Sequence, residues 1–247
     1  MNHRSIRLLF GLLVALCCAT VSAGPADSEE IPLHHLRLAL QGTLGDFYLL
    51  YGVDADPQHS ASIEQRLRLA RTQLQALRAH ATGALSGEWA AYEQQLRQMV
   101  GDLQQRKELD GNTIAELIAR HSRLLQLCGA EHLGAAPALT PGAQTRQLQW
   151  LLQSIATSYI AYSVGANTLG GDGQDIGELV RQFDDGLHGI SGAQRLLGDI
   201  RHKWRYIEPS LRNYQTSAIP SLVNRYATQI IGELDALTAT GAEAVVN

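Results

Sequence analysis

Cysteine is scarce in this 247-residue chain: two lie side by side at Cys17 and Cys18, and one stands alone at Cys128. Proline is sparse, with 7 residues, and aromatic side chains make up 6%. No excess of positive charge is present, the formal net charge being −4. Alternating polar and apolar runs are missing, which excludes half-buried strands as the main building element. The absence of a basic balance disfavours nucleic acid as a partner. Several chemical signatures are missing as well. Without Cys-x-x-Cys-His there is no covalent c-type haem attachment, and Gly-x-Ser-x-Gly, His-Glu-x-x-His and Gly-rich phosphate loops are all lacking. The patterns closest to a di-iron helix motif, Asp185-x-x-His188 and Asp199-x-x-His202, carry aspartate in place of glutamate. No catalytic residue, metal site or cofactor is therefore expected, and the histidines, including the pair His34-His35, read as solvated helix residues. Gly170-Gly171-Asp172-Gly173 reads as a flexible connection between helices. Asp54-x-Asp56 and Asp172-Gly173-x-Asp175 read as caps and turns, because a calcium loop needs a longer oxygen series closed by glutamate.

What is present begins with a segment of export type. Residues 1–23 combine Arg4 and Arg7, an apolar run from Leu8 to Ala19, and Val21-Ser22-Ala23 as a small-residue cleavage site. The expected product starts at Gly24 and is periplasmic or secreted. The leader contains two arginines and no acid, so the remainder has a formal charge of −6. Cys17 and Cys18 leave with it, so no intrachain disulfide can form, and Cys128 is expected to be a buried thiol on the apolar stripe of Ile114, Leu117, Ile118, Leu124 and Leu125. No later run is long and apolar enough for a bilayer span.

Apolar residues recur at spacings of three and four, so the spacing predicts an all-α protein. Eight helices are expected near 32–52, 57–82, 87–108, 113–129, 141–166, 174–188, 192–214 and 218–240. Asp56-Pro57, Ser62-x-x-Gln65, Thr113-x-x-Glu116, Thr140-Pro141 and Asp175-x-x-Glu178 supply start signals. Pro209 should kink the seventh helix.

An internal repeat organises these helices. His35 to Gln41 lies over Gln147 to Gln153, and Ile63, Leu67, Leu74 and Leu77 lie over Ile176, Val180, Leu187 and Ile190. Trp89-x-x-Tyr92-Glu93-x-x-Leu96-Arg97 overlies Trp204-x-x-Ile207-Glu208-x-x-Leu211-Arg212. The fourth helices align as Ile114, Leu117, Ile118 and Arg120 over Ile219, Leu222, Val223 and Arg225. The expected architecture is two tandem antiparallel four-helix units, 31–128 and 141–240, joined by a linker over 129–140, with a flexible start at 24–30 and a tail at 241–247. A fragment ending near residue 135 would then fold alone, whereas a single eight-helix bundle would not permit this.

Within the repeat, Glu93 and Arg97, like Glu208 and Arg212, are spaced for helix ion pairs. Trp89 and Trp204 are candidates for packing or for lining a pocket, as are Tyr159 and Tyr162, with Tyr206, Tyr214 and Tyr226 nearby in sequence. Phe47, Tyr48 and Tyr51 form an aromatic group at the end of the first helix and read as an interaction surface.

Arg37-x-x-x-Gln41 in the first repeat, and Gln149-x-x-x-Gln153-x-Ile155-Ala156 in the second, resemble the core signature of the PilJ/NarX-type helical periplasmic sensor domain of type IV pilus chemotaxis transducers and nitrate sensor kinases. The tryptophan early in each third helix adds to the likeness. The resemblance implies a non-enzymatic sensory or ligand-binding module for signal transduction, with Arg37 and Gln41, and their counterparts Gln149 and Gln153, as ligand contacts. The family's arginine is Gln149 in the second repeat, and its second basic position holds Gly42 or Ser154, so nitrate capture by paired arginines is not expected. A small polar or anionic ligand and an envelope or membrane protein are the implied partners. A structural or assembly factor of the envelope without a small ligand is the alternative, and a metal-dependent or redox bundle enzyme is the third.

Overall fold

The computed structural model describes residues 25–53, 56–77, 83–129, 140–169, 175–216 and 218–246, and these contain eight α-helices and no strand. In order they are α1 (Pro25–Gly52), α2 (Pro57–Ala76), α3 (Gly83–Gln104), α4 (Gly111–Leu127), α5 (Pro141–Ser163), α6 (Ile176–Gly189), α7 (Gln194–Arg212) and α8 (Pro220–Val246), with a one-turn 3-10 segment, Ala166–Leu169, after α5. The export-type leader, the body of the 129–140 linker and Gly170 to Gly173 lie outside the described residues. The chain divides into two compact units, Met1–Ile31 and Pro32–Asn247. In the first, the described residues are the opening turns of α1. The packing below belongs to the second.

The start signals act unevenly. Asp56, Thr140 and Asp175 accept hydrogen bonds from the amides of Gln58 (2.8 Å), Ala143 (3.2 Å) and Gly177 (2.9 Å), which satisfies orphan donors in the first turns. Ser62 is not a cap, because it lies inside α2 and donates to Asp46. Thr113 is not one either, since α4 already begins at Gly111 behind Asp110. α1 extends back to Pro25, over the stretch expected to be flexible, and proline at a first helical position followed by acidic residues suits a helix start. α8 runs on to Val246 through the expected tail, where Ala236, Ala239, Ala242 and Ala244 favour helix. α7 continues through Pro209 to Arg212.

Burial separates the helices into two kinds. α2, α3, α6 and α7 each bury one stripe, as amphipathic helices do. α1 is buried on all sides from Leu36 to Leu50, and α5 nearly so from Leu148 to Ala161. These two lie side by side and run parallel: His34 meets Gln149, the Gln41 carbonyl meets Thr157, and a Cβ at Gly52 would come within 2.3 Å of Val164. Gly45 permits the same close approach, with Thr157 Oγ1 at 3.2 Å from where its Cβ would be. α4 runs antiparallel to α1, through Arg37 with Cys128 and Gln41 with His121. α8 runs antiparallel to both α1 and α5, through Asn224 with Asp46, Asp235 with His35 (3.6 Å), and the Ile231 carbonyl with Gln149. The first and fourth helix of each half therefore form the centre, and the second and third lie outside.

Buried positions bear out the repeat. Ile63, Leu67, Ala70 and Leu74 of α2 match Ile176, Val180, Phe183 and Leu187 of α6, and Leu85, Trp89, Tyr92 and Leu96 of α3 match Ile200, Trp204, Ile207 and Leu211 of α7. The fourth helices shift by one residue from the sequence alignment: Leu117, His121, Leu124 and Cys128 match Val223, Ala227, Ile230 and Leu234. Ile118 and Leu125 are buried too, so the wider apolar face of α4 made the neighbouring register look equally good.

Candidate functional site

The four residues singled out by the sensor-like signature all lie in the buried seam around α1 and α5. Arg37, 7% exposed, donates from Nε to the Cys128 carbonyl at 2.7 Å, with Nη2 on the same oxygen. Cys128 is the residue that ends α4, and Gly129 follows it at φ +66° with its Cα side facing the guanidinium. Arg37 thus caps the negative end of α4. Gln149 uses both ends of its amide: Nε2 donates to Ile231 O (3.1 Å), and Oε1 faces His34 Nε2 (2.8 Å). Gln41 Oε1 faces His121 Nε2 at 3.0 Å, and Gln153 Nε2 donates to Thr157 at 3.4 Å. All four are committed to bonds between or along helices.

Amide oxygens only accept, so His34 and His121 both carry their proton on Nε2, and Nδ1 of each is buried without a partner. Neither is the solvated residue expected from sequence. Burial holds His34 down to about 4, helped by His35, Arg146 and Arg37 and opposed by the bond to Gln149. Burial alone holds His121 down to about 3. Cys128 is a buried free thiol, as expected, pushed up to about 11 by burial.

A second polar cluster escaped the sequence reading. Asp46, fully buried, accepts from Ser62 Oγ (2.6 Å), Arg66 Nε (2.7 Å) and Asn224 Nδ2 (2.7 Å), so it ties α1 to α2 and α8. Arg66 lies across α1 at Gly42, where a Cβ would come within 2.1 Å of its Nη1. The readable signal was an aspartate in the middle of an otherwise apolar helix.

The tryptophans differ between the halves. Trp204 packs against Phe183, with ring centroids 4.4 Å apart, and donates its indole N–H to Asp184 Oδ1 at 3.0 Å. Asp184 Oδ2 lies 3.6 Å from Arg212, which also holds Glu208. In the first half, the position of Phe183 is taken by Ala70 and that of Asp184 by Arg71. Trp89 is 5% exposed, and its indole N–H has no partner among the described residues. Arg71, Leu74, Gln75, Ser86 and Trp89 line an open cleft of about 250 Å³. Arg71 Nη2 bonds Glu93, which also lies 3.3 Å from Arg97. The helix pairs Glu93–Arg97 and Glu208–Arg212 are thus both present.

Tyr159 is buried, and its hydroxyl accepts the Ile219 amide at 2.9 Å near the start of α8, a packing role. Tyr162 is half-exposed and meets Tyr214 edge-on at 4.8 Å. Phe47 and Tyr48 are interior residues and not the surface expected, because α5 and α8 cover α1 on the sides a lone unit would leave open. Tyr206, 58% exposed, lies 5.2 Å from Tyr226, over which Arg225 sits. Among the described residues no helix is long and apolar enough to cross a membrane, and no group of three metal-ligating side chains converges. The chain matches no protein-family model, no curated protein and no solved structure.

Proposed function

We propose that this protein is an exported helical ligand-binding module that works with an envelope or membrane partner and performs no catalysis itself. The observation that carries the reading is the difference between the halves at their tryptophans. One is bonded and packed by the chain's own Asp184 and Phe183, and the other keeps a cleft whose wall carries donors without a partner among the described residues. Pockets of this kind, mainly apolar with a few fixed polar groups, are where small ligands bind. The sensor-like signature around Arg37 and Gln41 supports the same class of activity. In this reading its residues hold α4 and α5 against α1, and ligand contact falls to the α2–α3 cleft.

Thermal unfolding of the purified protein against a panel of anions, amino acids, polyamines and divalent metals tests it. A ligand at 100 times its Kd adds about 2.7 kcal/mol, which for a chain of this size raises the midpoint by roughly 5–10 °C. The expected result is a shift that survives a correction for the lower baseline stability of Arg37→Ala and is lost when the α2–α3 cleft is filled. No shift across the panel would leave the second reading, an envelope assembly factor. That reading is favoured by the exposed Tyr206 against the partly buried Tyr226, with Arg225 beside them, since aromatic residues and arginine are enriched at protein interfaces. In that case Tyr206→Ala should abolish partner crosslinking in intact cells.

A further inference from the structure

Resting on the ligand-binding reading, we propose that the α2–α3 cleft takes a small carboxylate with an apolar body, whose carboxylate stands to Trp89 as the Asp184 carboxylate stands to Trp204. The second half of the molecule shows what such an indole accepts. Asp184 takes the Trp204 N–H at 3.0 Å and lies within ion-pair distance of Arg212, while the Phe183 ring covers the tryptophan face. The first half retains the tryptophan, the glutamate and the arginine of that arrangement, as Trp89, Glu93 and Arg97. It lacks the carboxylate, because Arg71 stands in the place of Asp184, and its ring comes instead from Tyr92 on the same helix, 6.3 Å from Trp89, with Ala70 buried at the place of Phe183. A ligand carboxylate supplies the missing acceptor, and an apolar body attached to it lies along the Leu74 side of the cleft.

The cleft's own chemistry fits this ligand class. Arg71 spends Nη2 on Glu93, and its Nε and Nη1 hydrogens have no partner among the described residues. Guanidinium N–H groups bind carboxylate and phosphate oxygens alike, and the apolar part of the wall favours a carboxylate carried on an organic body. The Trp89 N–H, the Gln75 amide and the Ser86 hydroxyl are further groups without a partner among the described residues, and Leu74 and the indole give the apolar part of the wall. The nearby acid Glu93 is only 14% exposed and is neutralised by Arg71 and Arg97 together. A cationic ligand would face the guanidinium of Arg71, and an inorganic oxyanion would leave Leu74 and the indole uncovered. At about 250 Å³ the cleft lies just below the roughly 300–1,000 Å³ of drug-sized sites, so the ligand is small.

The test uses benzoate as the probe, with benzamide as its uncharged counterpart, and reads the indole N–H signal of Trp89 in the full chain by two-dimensional nuclear magnetic resonance. Trp89→Phe assigns that signal. Benzoate is expected to move it saturably and to bind at least tenfold more tightly than benzamide. Arg71→Gln, a change at a half-exposed side chain, should weaken benzoate at least tenfold with the fold retained. Ser86→Trp, which puts a bulky side chain on the exposed wall of the cleft, should abolish binding of both probes. Equal binding of benzoate and benzamide, or unchanged benzoate binding in Arg71→Gln, would overturn the carboxylate assignment and leave the ligand-binding reading standing. A Trp89 signal unmoved by either probe, in a protein that still shows a thermal shift with some member of the panel, removes the cleft as the site. Failure of both experiments removes the module reading with it.

Discussion

The two halves of the molecule share helices, register and tryptophans, yet they have closed their interiors by different means. The second half is apolar and self-sufficient around Trp204, where Phe183 and Asp184 complete the packing and the hydrogen bonding. The first half carries the polar interior: His34, Arg37, Gln41 and Asp46 on α1 and His121 on α4 are all buried. Their counterparts in the second half include Gln149 and Gln153 but no histidine and no buried carboxylate. Duplication therefore supplied the backbone twice, and the side chains then divided the labour. Both halves tie the central helices by hydrogen bonds, but the buried histidines and the buried carboxylate belong to the first.

The strongest way to break the comparison is to separate the halves. α1 is buried all round, with α5 and α8 covering it, and Asp46 takes one of its three donors from α8. A fragment ending near residue 135 is expected to lose cooperative unfolding altogether, contrary to the picture of an autonomous four-helix unit. Calorimetry of the fragment checks this, and a sharp two-state transition would restore independence.

Acid should attack the first half before the second. His34 and His121 are held near 4 and 3 in the folded protein against 6.5 as the ordinary value. The unfolded chain therefore binds more protons as pH falls below about 6.5, and stability present above that pH drains away toward pH 3–4. At about 1.4 kcal/mol for each unit of depression, the two together remove on the order of several kcal/mol, a large part of the stability of a typical domain. Hydrogen exchange at pH 4.5 should show amides of α1 and α4 losing protection ahead of those in α6 and α7. Uniform loss across both halves would show that the histidines are not the weak point.

Asp46→Ala removes the shared acceptor of Ser62, Arg66 and Asn224. Breaking a buried pair by deleting one partner costs roughly 3–5 kcal/mol, and because Arg66 retains some contact with solvent the low end, about 3 kcal/mol, is expected. Urea unfolding measures it. The smallest effect sharpens the comparison most directly. Trp204→Phe gives up the bond to Asp184 and should cost about 1–3 kcal/mol, whereas Trp89→Phe gives up no hydrogen bond among the described residues and should cost less. Equal costs in urea would mean that the two indoles are held alike.

The element pattern was legible in the sequence because amphipathic periodicity and capping chemistry are local. Ile63, Leu67 and Leu74 mark the face of α2 whatever it packs against, and Asp56 and Thr140 cap their helices through bonds spanning three residues or fewer. The repeat was legible for the same reason, and the Trp89 and Trp204 registers hold. The fourth-helix register slipped by one because α4 buries two adjacent columns, Leu117 with Ile118 and Leu124 with Leu125, and periodicity alone cannot choose between them. The candidate site was half legible. Trp89 was singled out, but its cleft depends on which residues of α2 face it, and the informative ones, Ala70 and Arg71, have meaning only beside Phe183 and Asp184.

By itself, then, the sequence determined an all-α chain of two like halves, because helix formation and repetition are written in spacing along one dimension. Only the tertiary structure decided that Arg37, Gln41, Gln149 and Gln153 bond within the protein, that His34 and His121 are buried, and that one buried indole bonds a carboxylate while the other lines a cleft. Each of those outcomes depends on a partner far away in sequence: Arg37 on Cys128, His34 on Gln149, Asp46 on Asn224. A polar side chain on a helix has the same sequence signature whether it meets water or a neighbour. The difference is the cost of desolvation, and packing sets that cost.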